Sequence, residues 1–519
     1  MSTEQKQLAT DMSVMPHPST GGSFRLQDIK ESTDWQKRIE PNLELKGKKY
    51  AIAFAYCGSK YQGLQVNPDA LTVEALLERA LLLSGLIDET KFGDFHSLSW
   101  TRAARTDKGV HALGQCCAAK LLLRDGDMTT VVANINQFLP DDIRVFHFSR
   151  VSKNFNAKNA CFGRRYHYVL PTYACSDKKE MERLMTKCVL GEGVTVDPRA
   201  NADGSIYKGG TKADNAAAAA AVSEGKSETS QVAKIFMDLE PEKYQEIVED
   251  GKLKDYRISQ EKLELLRSAL KQYQGTHRYH NFTYHKSSSD ASSSRYIISF
   301  IAEEPFVDPV SGVEWVCLQV EGQSFLLNQI RKMVAMALEV TRGGIAMATL
   351  VNAFAPGKMD LPIAPGIGLY LNELLFTKYN KNVKFENEKA ANIKKKAALK
   401  AAAPTAVAVI AGEDESESGQ CAKKQRLGVD GSSSAAAGTA PFIAPVALTD
   451  AGDNDDDTAE KETLDWMNKP YLRPTILKFK EEAVWSHIFR EEVVNCDMLR
   501  YLHYTSFIAP RDFAVRSEK

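Results

Sequence analysis

The sequence predicts an α+β fold, and the order of its short runs carries that class. Runs of strand length, apolar or nearly so, recur at Tyr50–Tyr56, Leu98–Ala104, Cys116–Leu123 and Ile143–Phe148. Between the first two lies a helical stripe, with Val73, Leu76, Leu77, Ala80 and Leu81 at i, i+3, i+4, i+7 and i+8. A second, shorter helix is predicted over Val131–Phe138. Strand, helix, strands, helix, strand is the element order of an α+β unit with helices packed on a sheet.

Taken in order, residues 1–48 mix Ser, Gly, Pro, Gln and charges without apolar period, which predicts a disordered lead with little to bury. Order is expected from Lys49. Tyr50–Tyr56 runs into Cys57-Gly58-Ser59-Lys60-Tyr61-Gln62-Gly63-Leu64-Gln65, where the glycines permit positive φ. Thr72 caps the first helix and Gly85 stops it. After Ile143–Phe148 comes Gly163-Arg164-Arg165-Tyr166-His167-Tyr168-Val169-Leu170-Pro171. As a half-buried strand it puts Tyr166 and Tyr168 on one face and Arg165 and His167 on the other. The interleaved bases and aromatics equally suit contact with phosphates and stacked bases.

Residues 174–250 loosen into Gly-rich and Ala-rich sequence and are expected to form an insertion. Leu263, Leu266, Leu270 and Tyr273 then resume helical spacing up to Gly275. His277 and His280 stand three apart without further ligands at useful spacing, so a structural or RNA-contacting role is expected and no metal is predicted. Tyr296–Ala302 and Trp315–Val320 read as a pair of strands. A helix is expected to open from Gly322 and run to about Arg342, with Ser324 as its cap and Gly343-Gly344 as its stop. Leu369–Phe376 is the last strand. Residues 382–465 turn Lys-rich (394–396), Ala-rich and acidic (453–457), a low-complexity linker, and residues 466–519 regain apolar residues as a helical segment expected to dock back on the main unit.

The 519 residues exceed one ordinary domain, and a net charge of −1 from 66 basic and 67 acidic residues argues against a uniformly basic nucleic-acid coat while leaving room for local patches. Nine cysteines without a Cys-x-x-Cys pair favour reduced thiols over a disulfide framework or a zinc site. No apolar run approaches the ~18 residues of a membrane span, and the first residues resemble neither a signal peptide nor an Arg-rich leader. A soluble protein of the nucleus is expected, with cytoplasm and mitochondrion as alternatives; the basic run at 394–396 suits nuclear import or mere solvation.

Chemistry concentrates in Arg105-Thr106-Asp107-Lys108-Gly109-Val110-His111-Ala112, a polar turn between two strand-like runs. By residue type alone, Asp107 is a solvated turn former. Arg331 shares a helix face with Leu327, Val334, Ala335 and Leu338, so its guanidinium must either snorkel to water or meet an acid.

The octapeptide resembles the signature of the TruA-type tRNA pseudouridine synthases, in which an Arg-Thr-Asp turn carries the essential Asp. Four further stretches are similar to that family in the same order: Tyr61-Gln62-Gly63-Leu64-Gln65, the strand through Tyr166, Gly275–Thr283, and Ala364-Pro365-Gly366-Ile367-Gly368-Leu369-Tyr370-Leu371. The eukaryotic pseudouridine synthase 1 branch is the most similar, through Glu304-Pro305-Phe306-Val307, Gly322-Gln323-Ser324-Phe325 and Gln329-Ile330-Arg331-Lys332-Met333. His111 and Asn328 depart from that branch, where Ser and His are usual.

The resemblance implies a mixed, mainly antiparallel sheet flanked by helices, in two ferredoxin-like halves around a basic cleft, with residues 49–381 as the catalytic domain (49–173 and 251–381 as its halves). It implies an isomerase that converts uridines of tRNA to pseudouridine, with small nuclear and messenger RNAs as further substrates of this branch. No cofactor, membrane or obligate protein partner is implied. By the same resemblance Asp107 is the catalytic acid, Arg331 its partner, and Tyr166 a residue that stacks on the base and takes a proton. Arg105 fills the space the flipped base leaves, Leu369 supports the base, and Arg165 and Lys108 contact RNA. A non-catalytic RNA-binding protein with the same fold is the alternative. A glycoside hydrolase ranks last because it needs two carboxylates, where the motif offers one.

Overall fold

The computed structural model describes residues 22–123, 128–190, 239–402, 462–508 and 513–516. The described residues divide between two units, those of 22–384 and 462–516 in the first and 385–402 in the second. In the second unit residues 385–402 are helical, where a linker was expected; Ala and Lys are strong helix formers and need no core for it.

The first unit is built on one sheet with strand order β4-β1-β3-β10-β5-β9-β7-β6. The strands are β1 (Lys48–Tyr56), β2 (Thr101–Arg102), β3 (His111–Leu121), β4 (Ile143–Arg150), β5 (Gly163–Pro171), β6 (Gly275–Arg278), β7 (Ser294–Ala302), β8 (Phe306–Val307), β9 (Glu314–Gly322) and β10 (Leu369–Leu375). β2 pairs with β3 and β8 with β9, off the main path. The β3–β10 pair is parallel, and the neighbouring pairs are antiparallel.

Two ferredoxin-like halves are visible in this order. β1, the helix Val73–Leu83, β2, β3, the helix Met128–Asn136 and β4 make one βαββαβ unit, whose strands lie as β4-β1-β3-β2. β5, the helix Gln260–Lys271, β7, β9, the helix Gln329–Thr341 and β10 repeat it as β10-β5-β9-β7. The halves meet where β3 and β10 run parallel through Tyr370↔His111 and Leu371↔Ala112. β5 belongs to the second half, not the first as the boundary at 173 implied, because β9 and β10 flank it in the sheet.

Several boundaries differ from the sequence expectations. Residues 22–48 are ordered: Leu26–Glu31 is helical, Phe24 and Ile29 are buried, and Asp34 makes a buried ion pair with Arg79 at 2.7 Å. A segment of mixed composition is held there by two apolar anchors and one charge that periodicity does not register. The Leu98–Ala104 run yields only the two-residue β2, whereas β3 starts at His111. The second-half helix starts at Gln329 rather than near Gly322, so Ser324 is not its cap. Asn328 holds the cap position in the left-handed region at φ 59°, a conformation Asn tolerates better than most side chains.

The ends of the expected insertion are helices, Lys178–Leu190 and Pro241–Asp250, with Met181, Met185, Tyr244 and Ile247 buried; residues 191–238 lie outside the described residues. Residues 462–508 return as a mainly helical segment. Trp466 donates to the Ser149 hydroxyl at 3.1 Å and His147 meets Glu462 at 2.8 Å, both on edge strand β4. Trp485 donates to the Tyr370 hydroxyl at 3.1 Å, and Phe489 packs on Trp315. An apolar face of the sheet is thereby covered. No described helix is long and apolar enough to cross a membrane.

Candidate active site

β2 and β10 both pair with β3, at opposite ends of it, and the chain between β2 and β3 leaves the sheet at the gap between them. Residues 103–110 occupy that gap. The loop is held from below by the turn after β1: the Leu64 amide donates to the Thr106 carbonyl at 3.3 Å and the Gly109 amide to the Tyr61 carbonyl at 3.3 Å. The Thr106 hydroxyl lies 2.7 Å from the Tyr56 hydroxyl. Two glycines allow this approach. A Cβ at Gly63, whose φ is +99°, would stand 2.8 Å from the Thr106 carbonyl oxygen, and one at Gly58 would stand 2.2 Å from that of Val110.

His111 closes the loop. Its Nδ1 accepts from the Gly58 amide at 2.9 Å, which leaves the proton on Nε2, and Nε2 donates to the Ile367 carbonyl at 3.0 Å. Burial, then His487, pushes its pKa down to about 4, so the ring stays neutral.

From the second half, Arg331 enters beside the loop that leads to β10. Its Nε donates to the Ala364 carbonyl at 2.7 Å and Nη1 to the Asn328 Oδ1 at 3.3 Å. Val334, Ala335 and Leu338 are buried as the helical stripe predicts, but Leu327 is 54% exposed because it precedes the helix. Asp107 and Arg331 line the same cleft, and no ion pair within 4.0 Å joins them among the described residues. Their coupling is through charge at longer range. The Asp107 side chain is open to the cleft yet surrounded by protein, and this burial raises its pKa, while Arg331 and then Arg105 pull it down.

The cleft encloses about 1170 Å³, above the ~300–1,000 Å³ usual for small-molecule sites, so it suits part of a polymer. Arg102, Arg105, Lys108, Lys158, Arg164 and Arg331 supply its positive charge, and Asp107 is the acid of its lining. Tyr166 faces the cleft edge-on to Phe325, with ring centroids 5.3 Å apart. Its phenol is held above the ordinary range by burial, with Arg164 lowering it and Asp107 raising it. Leu369, 8% exposed, lies on the strand beside it.

Arg165 is elsewhere. Alternation along β5 sends it to the opposite face, where it binds Glu321 at 2.8 Å and also Glu373. The structure thus brings together Asp107, Arg331, Tyr166, Arg105, Leu369 and Lys108, but not Arg165. Its neighbour Arg164, which shares the Tyr166 face, takes the place in the cleft, and the two-residue period contained that signal. Lys158 and Phe325 had no such signal. His280 is buried with Nε2 at the Gly357 carbonyl, and His277 stacks on Phe354, so both serve packing. On the sheet face opposite the cleft, His167, Glu303 and Cys317 gather within 4.8 Å of one another, and the charges of Cys317 and Glu303 act on the nearby Lys480, whose pKa burial lowers.

A sequence model of the family described as tRNA pseudouridine synthase matches residues 269–377. The chain is 34% identical over 376 residues to tRNA pseudouridine synthase 1 of Candida glabrata, covering 68% of this chain and 67% of that one. It is 34% identical over 366 residues to tRNA pseudouridine synthase 1 of Saccharomyces cerevisiae, covering 69% and 66%. It is 32% identical over 344 residues to the pseudouridylate synthase 1 homolog of Mus musculus, covering 66% and 64%. The chain therefore spans about two thirds of the length of these curated relatives.

Proposed function

Because the chain belongs to the tRNA pseudouridine synthase family, we propose that it isomerises uridines of tRNA to pseudouridine with Asp107 as the catalytic carboxylate. The observation that carries this is the placement of Asp107 as the acid in a cleft lined by six cationic side chains, at the junction of the two halves. In the reaction the bond from the sugar C1′ to N1 of uracil breaks, the base turns, and C1′ bonds to C5; C5 then loses a proton and N1 gains one. Atoms and electrons balance without an oxidant or cofactor.

Each group has work suited to its surroundings. The exposed Lys108 and Lys158 of the cleft wall hold phosphates, whereas the Arg164 guanidinium is engaged by backbone carbonyls. The base must leave its stack, which costs a few kcal/mol, and exposed Arg105 is placed to fill the gap it leaves. Tyr166 and Leu369 offer an aromatic face and an apolar support for the flipped base. Burial keeps the Tyr166 phenol protonated at rest, which suits stacking and hydrogen bonding and disfavours it as a standing base. Asp107 acts on the sugar as the anion, and Arg331 and then Arg105 oppose the burial that raises its pKa.

Small nuclear and messenger RNA are proposed as further substrates, and the nucleus as the location, with cytoplasm and mitochondrion as alternatives. The branch similarity supports the former, and the Lys394–Lys396 cluster the latter.

The purified protein is expected to form pseudouridine in tRNA transcripts, and Asp107→Ala to abolish this while the dissociation constant for tRNA stays within about threefold, since phosphate contacts supply most of the affinity. Binding without turnover by the wild type would establish the RNA-binding alternative. Turnover by the variant would remove Asp107 from the chemistry.

A further inference from the structure

Arg164 enters the cleft between its two functional segments, and its hydrogen bonds go to backbone carbonyls. Nη2 donates to the Ala103 carbonyl at 2.7 Å and Nη1 to the Gln323 carbonyl at 2.7 Å, with the Cys161 carbonyl at 3.4 Å from Nη1. Ala103 begins the loop that carries Asp107, and Gln323 follows β9 and begins the segment leading to the Arg331 helix. The first segment belongs to one ferredoxin-like half and the second to the other. Arg164 itself lies at the start of β5, beside Tyr166. We infer that Arg164 is a positioning residue: it fixes the separation of the Asp107 loop from the entrance of the Arg331 helix, and so aligns the catalytic carboxylate with its counter-charge across the two halves.

The chemistry of the side chain supports this. A guanidinium is planar, and its two terminal nitrogens hold a fixed spacing, so carbonyls bound to both are fixed relative to each other. The bonds go to neutral acceptors, which leaves the positive charge in place on the cleft wall next to Tyr166. A Lys at this position would present one point charge and could not hold both carbonyls in the same plane. Asp107 and Arg331 are coupled through charge without a direct ion pair among the described residues, so their relative placement depends on what ties their segments together. Sub-ångström placement matters in such a site: a misplacement of about 1 Å can cost 10²-fold in rate.

The inference rests on the isomerase proposal, and the test separates the two. Arg164→Ala and Arg164→Lys are compared with the wild type in three measurements on the full chain: single-turnover conversion of a tRNA transcript at saturating enzyme, the salt dependence of tRNA binding, and amide hydrogen exchange. For Arg164→Ala the single-turnover rate is expected to fall about 100-fold, with the slope of log affinity against log salt unchanged. Exchange is expected to quicken in residues 103–110 and 322–330 together and to stay unchanged in β1 and β4. Arg164→Lys should fall between the two.

A wild-type rate at saturation with a salt slope reduced by about 1 would make Arg164 a phosphate contact only and overturn the inference. Exchange that is unchanged in both segments, or that rises throughout the sheet, would overturn it as well, the latter showing a general structural role. If the wild type converts no uridine, the isomerase proposal fails, and the exchange pattern still decides whether Arg164 bridges the halves.

Discussion

The Nε2 of His111 donates to the carbonyl of Ile367 at 3.0 Å, fastening the strand that follows Asp107 to the loop that delivers Leu369. One neutral imidazole thus joins the two halves behind the cleft, with Gly58 as its donor on the other side.

That neutrality gives a pH dependence. Folding lowers the pKa of His111 to about 4 from the 6.5 of an unperturbed imidazole, so between those values the unfolded chain binds more protons. The stabilisation is complete above pH 6.5 and is lost as pH falls towards 4, by roughly 3 kcal/mol at most. His167 and His503, pushed down to about 3 and about 4, act in the same sense. His111→Gln, which keeps a donor and an acceptor, is therefore expected to reduce the slope of Tm against pH between 6.5 and 4 without removing it. Equal slopes in variant and wild type would show that His111 does not titrate on unfolding.

Arg331 lowers the pKa of Asp107 against the upward push of burial. Removing it leaves burial less opposed, so Asp107 takes up a proton at higher pH. Arg331→Ala should slow the bound complex by about 100-fold and move the acidic limb of the single-turnover rate upward. Arg331→Lys should also be slow, because one ammonium cannot serve the Ala364 carbonyl and Asn328 as the guanidinium does. Wild-type rates with an unmoved limb in both variants would free Asp107 from any dependence on Arg331.

Arg165 gives the opposite expectation. Its guanidinium is engaged by Glu321 and Glu373 on the face away from the cleft, so Arg165→Gln should leave the single-turnover rate and the salt slope of tRNA binding within about twofold of wild type. It should instead cost roughly 1–3 kcal/mol of stability at pH 7, because two neighbouring carboxylates lose their shared cation. Burial already raises the pKa of Glu373 and Arg165 opposes it, so part of the loss should be recovered as pH falls to 5. A reduced salt slope would restore Arg165 as an RNA contact.

Asp34 and Arg79 form an ion pair in which both side chains are nearly inaccessible, at 7% and 2% exposure. Asp34→Ala leaves a buried guanidinium without its carboxylate and is expected to cost about 3–5 kcal/mol in urea unfolding. A loss below ~1 kcal/mol would mean that the 22–48 segment contributes little to the fold.

What the sequence determined by itself was local or periodic. The stripe from Val73 to Leu81 specifies a helix with one apolar face, and the alternation of β5 separates Tyr166 from Arg165, because both follow from backbone geometry alone. The wording around Asp107 singled out the acid through family resemblance. Tertiary structure decided the rest. Arg165 was the expected RNA contact of this strand, but Glu321 and Glu373 claim it, and those carboxylates lie 156 and 208 residues away in the chain. The β2 stub, the ordered 22–48 segment and the position of β5 in the second half likewise depend on partners distant in sequence: Cys117 and Ala118 for β2, Arg79 for Asp34, and β9 and β10 for β5. Hydrogen bonds and ion pairs between remote segments leave no period in the chain, so only the folded arrangement shows which donors meet which acceptors.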